Sequence, residues 1–164
     1  MAFDHDALTR HFGHIWPVHN AQFCDLLVTL RRLFGGDLDR MLVLAVIGSR
    51  NLAWGRIAGL SYGQFMDLEW RKLQAAPINL QSIADYSGIP RETVRRKVQE
   101  LQRAGWVVKR DDGYLIATTQ AAADLAPATE ATMKYLVAVG VACVEAASAP
   151  GVSPADTGCR DEET

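Results

Sequence analysis

Cysteine is scarce in this chain: Cys24, Cys143 and Cys159 are the only three among 164 residues, widely spaced and without a C-x-x-C pair. That usage fits reduced intracellular thiols and speaks against a disulfide framework or a zinc knuckle. Long hydrophobic runs are also missing. The strongly apolar stretches Met41–Gly48 and Tyr135–Val144 fall short of the ~18 residues a membrane-spanning helix needs, so neither a span nor a membrane partner is expected. The amino end, MAFDHDALTR, lacks the basic-then-apolar layout of a secretion signal, which points to a cytoplasmic protein. No internal repeat occurs, and no P-loop, nucleophile–base pair or paired-carboxylate constellation can be read. An enzymatic activity is therefore not expected, and neither is a cofactor.

A net positive charge is lacking too, with 17 Lys and Arg against 19 Asp and Glu. The balance is uneven along the chain. Residues 1–76 hold eight Lys or Arg against seven acids, residues 77–120 seven against five, and residues 121–164 two against seven. A nucleic-acid footprint is a property of one face, so an acidic whole-chain balance does not exclude one. The basic middle segment is where such a face would lie.

What is present is apolar residue enough, 49%, to bury a core in one domain with appendages. From Asp4, Leu8, Phe12, Ile15 and Trp16 recur at helical spacing, and Pro17 predicts the stop. A second helix is expected from about Asn20 to Phe34, ended by Gly35-Gly36. Asp37 to about Trp54 contains MLVLAVIG, apolar nearly all round, and reads as the spine of the core. Ser61 and Gln64 form a capping-box signature for a helix carrying Met66, Trp70 and Leu73 towards Pro77. Thr129 to Ala147 reads as a long helix with Met133, Leu136, Val137, Gly140, Val141 and Val144 on one face. A disordered tail rich in Pro, Gly, Ser and acids follows.

The most informative stretch is SIADYSGIPRETVRRKVQELQRAGWVVKRDDGYLIA, residues 82–117. A short helix with Leu80, Ile83 and Ala84 cannot continue past Gly88. A second begins near Pro90 and buries Val94, Val98 and Leu101 at i, i+4, i+7. WVVKR and YLIATT flank Asp111-Asp112-Gly113, a strong hairpin signal. The order helix, turn, helix, hairpin is that of a winged helix.

Residues 83–98, IADYSGIPRETVRRKV, resemble the helix-turn-helix of winged-helix bacterial transcription regulators, and RETVRR is similar to the recognition helix of the cyclic-AMP receptor protein family. The likeness covers about residues 77–119, and nothing upstream resembles a cyclic-nucleotide β-roll. Helices on both sides of the motif resemble the MarR-type dimers, whose terminal helices pair two subunits. The resemblance implies that Arg91, Glu92 and Arg96 reach base edges and that Thr93 lies toward the phosphates.

The residue types agree with that expectation. Arg91, Arg95, Arg96 and Gln99 carry guanidinium and amide groups of the kind that read guanine and adenine edges bidentately. Lys109 and Arg110, near the hairpin tip, suit flanking phosphates. The blander reading is a solvated charged face on which Glu92 and Glu100 pair with arginines locally.

The expected organisation is N-terminal helices in residues 1–36, a winged helix-turn-helix domain in 37–119 with a helical insertion at 55–76, a C-terminal helix in 120–148 and a tail in 149–164. This is a mainly α fold with a small β-hairpin wing. The expected role is a sequence-specific transcription regulator that binds double-stranded DNA as a homodimer. Residues 90–104 would enter the major groove, and the wing at 106–118 would lie on the flanking backbone. Alternatives are a winged-helix module that docks proteins, or a ligand- or metal-sensing regulator using His5, His11, His14 and His19. No zinc-like spacing supports metal binding. Trp54, Tyr62, Phe65 and Trp70 could border an effector pocket, but no convergent polar set identifies a small-molecule ligand.

Overall fold

A computed structural model of the chain describes residues 4–51, 59, 61–66, 76 and 78–148. Its helices in chain order are α1 (His5–Arg10), α2 (Phe12–Leu33), α3 (Leu38–Asn51), α4 (Tyr62–Met66), α5 (Leu80–Ser87) and α6 (Arg91–Arg103). Strands β1 (Val107–Lys109) and β2 (Leu115–Ala117) follow, then α7 (Thr119–Asp124) and α8 (Ala126–Ser148). The protein is thus mainly helical with one small two-stranded antiparallel sheet. Contacts divide it into two compact units, Asp25–Thr132 and the pairing of Met1–Cys24 with Met133–Thr164.

The larger unit is built around α3. Val43 and Ile47 are fully buried, with Leu44 and Val46 beside them, and α3 packs on α5, α6 and β2. Its apolar partners are Ile83 from α5, Val94, Val98 and Leu101 from α6, and Val107 and Leu115 from the hairpin. Asp37 caps α3 by accepting a hydrogen bond from the Arg40 amide at 2.9 Å. The Ser61–Gln64 capping box forms as its spacing suggests. The Ser61 amide donates to Gln64 Oε1 at 2.8 Å, and the Gln64 amide donates to Ser61 Oγ at 3.4 Å. Tyr62 is exposed. Trp54, Trp70, Leu73, Pro77, the side chain of Phe65 and most of the 55–76 insertion lie outside the described residues, as does the tail from 149.

The smaller unit holds the main departure from the pattern-based expectation. Pro17 does not stop a helix but lies inside α2, and the break falls earlier, at His11. A proline in a helix forfeits one bond to residue i−4 and crowds that carbonyl. Here residue i−4 is Gly13. Packing on the far side of the break holds the helix together, because Ile15 is buried against Ala142 and Ala146, with Val18 alongside. The helix expected from Asn20 therefore begins eight residues earlier, at Phe12.

The last helix also starts earlier than its apolar stripe suggested, at Ala126 rather than Thr129. Pro127 is tolerated there because first-turn amides have no intrahelical acceptor. At 23 residues, with an 18-residue window of mean hydropathy 1.3, α8 is long and apolar enough by length and composition to cross a membrane. The uninterrupted run Tyr135–Val144 understated this, since the alanines around it extend the apolar window.

Candidate nucleic-acid interface

Helices α5 and α6 are set by capping chemistry. The Asn79 side chain accepts from the Ser82 amide at 3.0 Å and starts α5, and Gly88, at φ +72°, ends it by donating to the Ala84 carbonyl at 2.9 Å. A side chain at that φ would be strained, which is why glycine stands there. Pro90 occupies the cap position of α6 rather than its first helical position, and it makes no side-chain cap bond. Its φ of −53° still points the chain into the helix. The other end of α6 closes with Trp106 N donating to the Leu101 carbonyl and Gly105 N to the Gln102 carbonyl, with Gly105 at φ +74°.

Inward, α6 presents Val94, Val98 and Leu101, all buried. Lys97 is buried with them, although it belongs to the basic run. Its ammonium donates to Asp37 Oδ2 at 2.5 Å and lies 3.5 Å from Glu100 Oε2. The hydrogen bond to Asp37 raises the Lys97 pKa against the opposing effect of burial. Burial raises the Asp37 pKa, but the Lys97 hydrogen bond, the Arg40 amide and both nearby cations outweigh it, so the carboxyl ionises below its ordinary value. Lys97 thus bolts α6 to the start of α3 and is spent on the fold. One signal for this was available in the sequence: Lys97 sits three residues from Val94 and four from Leu101, on the buried side of the helix.

Outward, at 3.6 residues per turn, two stripes emerge. Glu92, Arg96, Gln99 and Arg103 are all exposed and share the side facing away from the core. Arg91, Arg95 and Gln102 form the neighbouring stripe, which faces the hairpin across a cavity of about 500 Å³. Leu80, Val98 and Leu115 give that cavity an apolar floor, and Arg91, Arg95, Gln99, Gln102 and Lys109 stand on its walls. Thr93 is half-buried between the outward and core faces.

The cations on this surface are not equivalent. Arg95 is held by Glu92, its Nε donating to Oε1 and Oε2 at 3.0 and 2.8 Å and its terminal nitrogen to Oε1 at 2.5 Å. That hydrogen bonding lowers the Glu92 pKa and raises that of Arg95. In the hairpin turn, Arg110 pairs with Asp112 at 3.0 Å. Among the described residues, Arg91, Arg96, Arg103 and Lys109 make no ion pair and no side-chain hydrogen bond, so their charge is open to solvent. Local pairing of the kind the blander reading expects is seen between Glu92 and Arg95, while Glu100 lies against Lys97 rather than an arginine.

The hairpin pairs Val107 with Ala117, Val108 with Ile116 and Lys109 with Leu115. The turn closes through Gly113 N to the Arg110 carbonyl at 2.9 Å. Two contacts that periodicity does not reveal fix it to the core. The Leu115 amide donates to the Ile78 carbonyl at 3.0 Å, tying the outer edge of β2 to the segment before α5. Asn51, at the end of α3, donates from Nδ2 to the Leu115 carbonyl at 3.3 Å and accepts at Oδ1 from the Ala117 amide at 2.9 Å. A single side-chain amide thereby substitutes for a peptide unit of a neighbouring strand.

The amino-terminal histidines are dispersed. His14 Nε2 lies 3.3 Å from Glu145 Oε2, His19 Nδ1 lies 2.9 Å from the Tyr135 hydroxyl, and His11 ends α1. Among the described residues no three His, Cys, Asp or Glu side chains converge as a metal-binding group. Comparison of the chain with family models, with curated proteins and with solved structures yields no match.

Proposed function

We propose that this chain is a sequence-specific DNA-binding transcription regulator of the winged helix-turn-helix type, with α6 as its recognition helix and the β1–β2 hairpin as its wing. The observation that carries the reading is the division of labour on α6. Its one buried cation, Lys97, is neutralised by Asp37 and Glu100, whereas Arg91, Arg96 and Arg103 are exposed and, among the described residues, make no ion pair, although Arg91 and Arg96 stand near enough to help hold the Glu92 carboxylate ionised. An exposed helix face carrying guanidinium and amide groups matches the major groove in width and in hydrogen-bonding type. Lys109 extends the cationic surface across the groove beside α6. There it suits a phosphate flanking the bases read by the helix.

In this reading Arg91, Arg96 and Gln99 contact base edges, and Lys109 contacts the backbone. Glu92 is the acceptor on the same face and suits the cytosine amino group. Arg95 positions Glu92, and Arg110 is of secondary weight because Asp112 compensates it. Selection of bound fragments from a random duplex pool by the purified full chain tests the proposal. Enrichment of a defined motif is the expected result, and recovery of an unenriched pool at every salt concentration would refute it.

A further inference from the structure

We propose that the cavity between α6 and the hairpin is a binding site for a small carboxylate with an apolar body. The cavity measures about 500 Å³, inside the range of about 300–1,000 Å³ usual for sites that take small organic ligands. Leu80 from α5, Val98 from α6 and Leu115 from β2 form its floor. Val98 and Leu115 also belong to the buried core of the larger unit, so the packing that holds the fold fixes the floor as well. An apolar body entering the cavity therefore meets a surface already in place.

The walls decide the charge of the occupant. Arg91 and Arg95 stand on α6, Lys109 stands on the hairpin, and no carboxylate is among the described residues lining the space. Glu92 compensates Arg95. Arg91 and Lys109 make no ion pair and no side-chain hydrogen bond among the described residues, so uncompensated cations from two different elements border one space. A guanidinium binds a carboxylate through two parallel hydrogen bonds. Gln102, also without a side-chain partner among the described residues, adds an amide donor to the α6 wall.

Simpler occupants use only half of this surface. An inorganic anion would engage the walls and leave the floor against water, whereas a neutral apolar molecule would cover the floor and leave the cations unanswered. A carboxylate joined to an aryl or alkyl body engages both. One consequence rests on the DNA reading above. Arg91 and Lys109 are the side chains assigned there to a base edge and to the backbone, so an occupied cavity withdraws both, and the ligand antagonises duplex binding.

Isothermal titration calorimetry of the full chain tests the site without nucleic acid, with 2-naphthoate, neutral 2-naphthalenemethanol and inorganic phosphate as probes. 2-Naphthoate is expected to bind at a single site and about tenfold or more tighter than either of the others. R91Q and K109Q, both at exposed positions, should each raise its dissociation constant about tenfold, the loss of one charge-assisted hydrogen bond, with unchanged far-UV circular dichroism. Absence of binding, equal binding of the alcohol or of phosphate, or a dissociation constant that both variants leave unchanged overturns the proposal. For the consequence, saturating 2-naphthoate should weaken binding to a random duplex more than acetate does at the same ionic strength. Equal duplex affinity in the two salts overturns the antagonism, whereas a chain that takes 2-naphthoate but binds no duplex contradicts the DNA reading and leaves the site standing.

Discussion

Asn51→Ala removes a side chain that ties the end of α3 to β2 through two hydrogen bonds. The variant loses the donor to the Leu115 carbonyl and the acceptor for the Ala117 amide. Leu115 is 3% exposed, so its carbonyl gains little water in exchange, whereas half-buried Ala117 recovers some. Each net hydrogen bond contributes ~0.5–1.5 kcal/mol, and a buried group left unsatisfied costs ~1–3 kcal/mol, so a loss of about 2–4 kcal/mol follows. That is a large part of the ~5–15 kcal/mol by which domains are stable. Urea unfolding of wild type and variant measures the difference, and hydrogen exchange at the Ala117 amide localises it. Asn51→Asp sharpens the test, because it keeps the acceptor for Ala117 but sets a carboxylate against the Leu115 carbonyl. It should cost at least as much as alanine near neutral pH and recover as acid protonates the new carboxyl into a donor. A change within ~0.5 kcal/mol for both variants, the range of ordinary surface substitutions, would refute the bridging role.

Asp37→Asn leaves mostly buried Lys97 with Glu100 alone, and about 1–3 kcal/mol of stability should be lost at neutral pH. The Asp37 pKa is lowered in the folded chain, so its contribution is present above the unfolded value, ~3.9, and disappears as pH falls through the folded one. The wild-type and variant stability curves should therefore converge at low pH, and urea unfolding across a pH series that finds a constant gap would contradict this. Glu92→Gln releases Arg95 from its fork. Binding to random duplex should tighten, and its salt dependence should steepen by up to ~0.9 in the log–log slope if the freed guanidinium takes one more phosphate. An unchanged slope in a fluorescence anisotropy titration would mean that Arg95 reaches no phosphate.

The parts of this fold that could be read in advance are those fixed by neighbours in sequence. Gly88 in the left-handed region, the Ser61–Gln64 capping box, the hairpin around Asp111-Asp112-Gly113 and the i, i+4, i+7 burial of Val94, Val98 and Leu101 all depend on local backbone and helical phase. What escaped was decided by tertiary partners. Pro17 has the chemistry of a helix stop, yet α2 runs through it with Ile15 buried against Ala142 and Ala146, over 120 residues away in sequence. The Asn51 bridge spans 64 and 66 residues, and nothing in a polar residue at the end of an apolar helix announces its acceptor. In the candidate interface, residue types were legible but their states of charge were not. Arg91 and Arg95 are alike in sequence, and which of them is neutralised follows from the side-chain geometry that brings Glu92 onto Arg95.

The account turns on the exposed face of α6, and its most direct measurement is the affinity of the full chain for a random-sequence duplex across a series of salt concentrations. Wild type should bind with an affinity that falls steeply with salt, and Lys109→Ala should reduce the slope by about 0.9 for one lost phosphate contact. Arg91→Ala and Arg96→Ala, compared on a selected motif, should each cost ~1–3 kcal/mol and relax preference at one base pair. Binding that is insensitive to salt, or unaltered in all three variants, would contradict the claim that this helix face meets DNA.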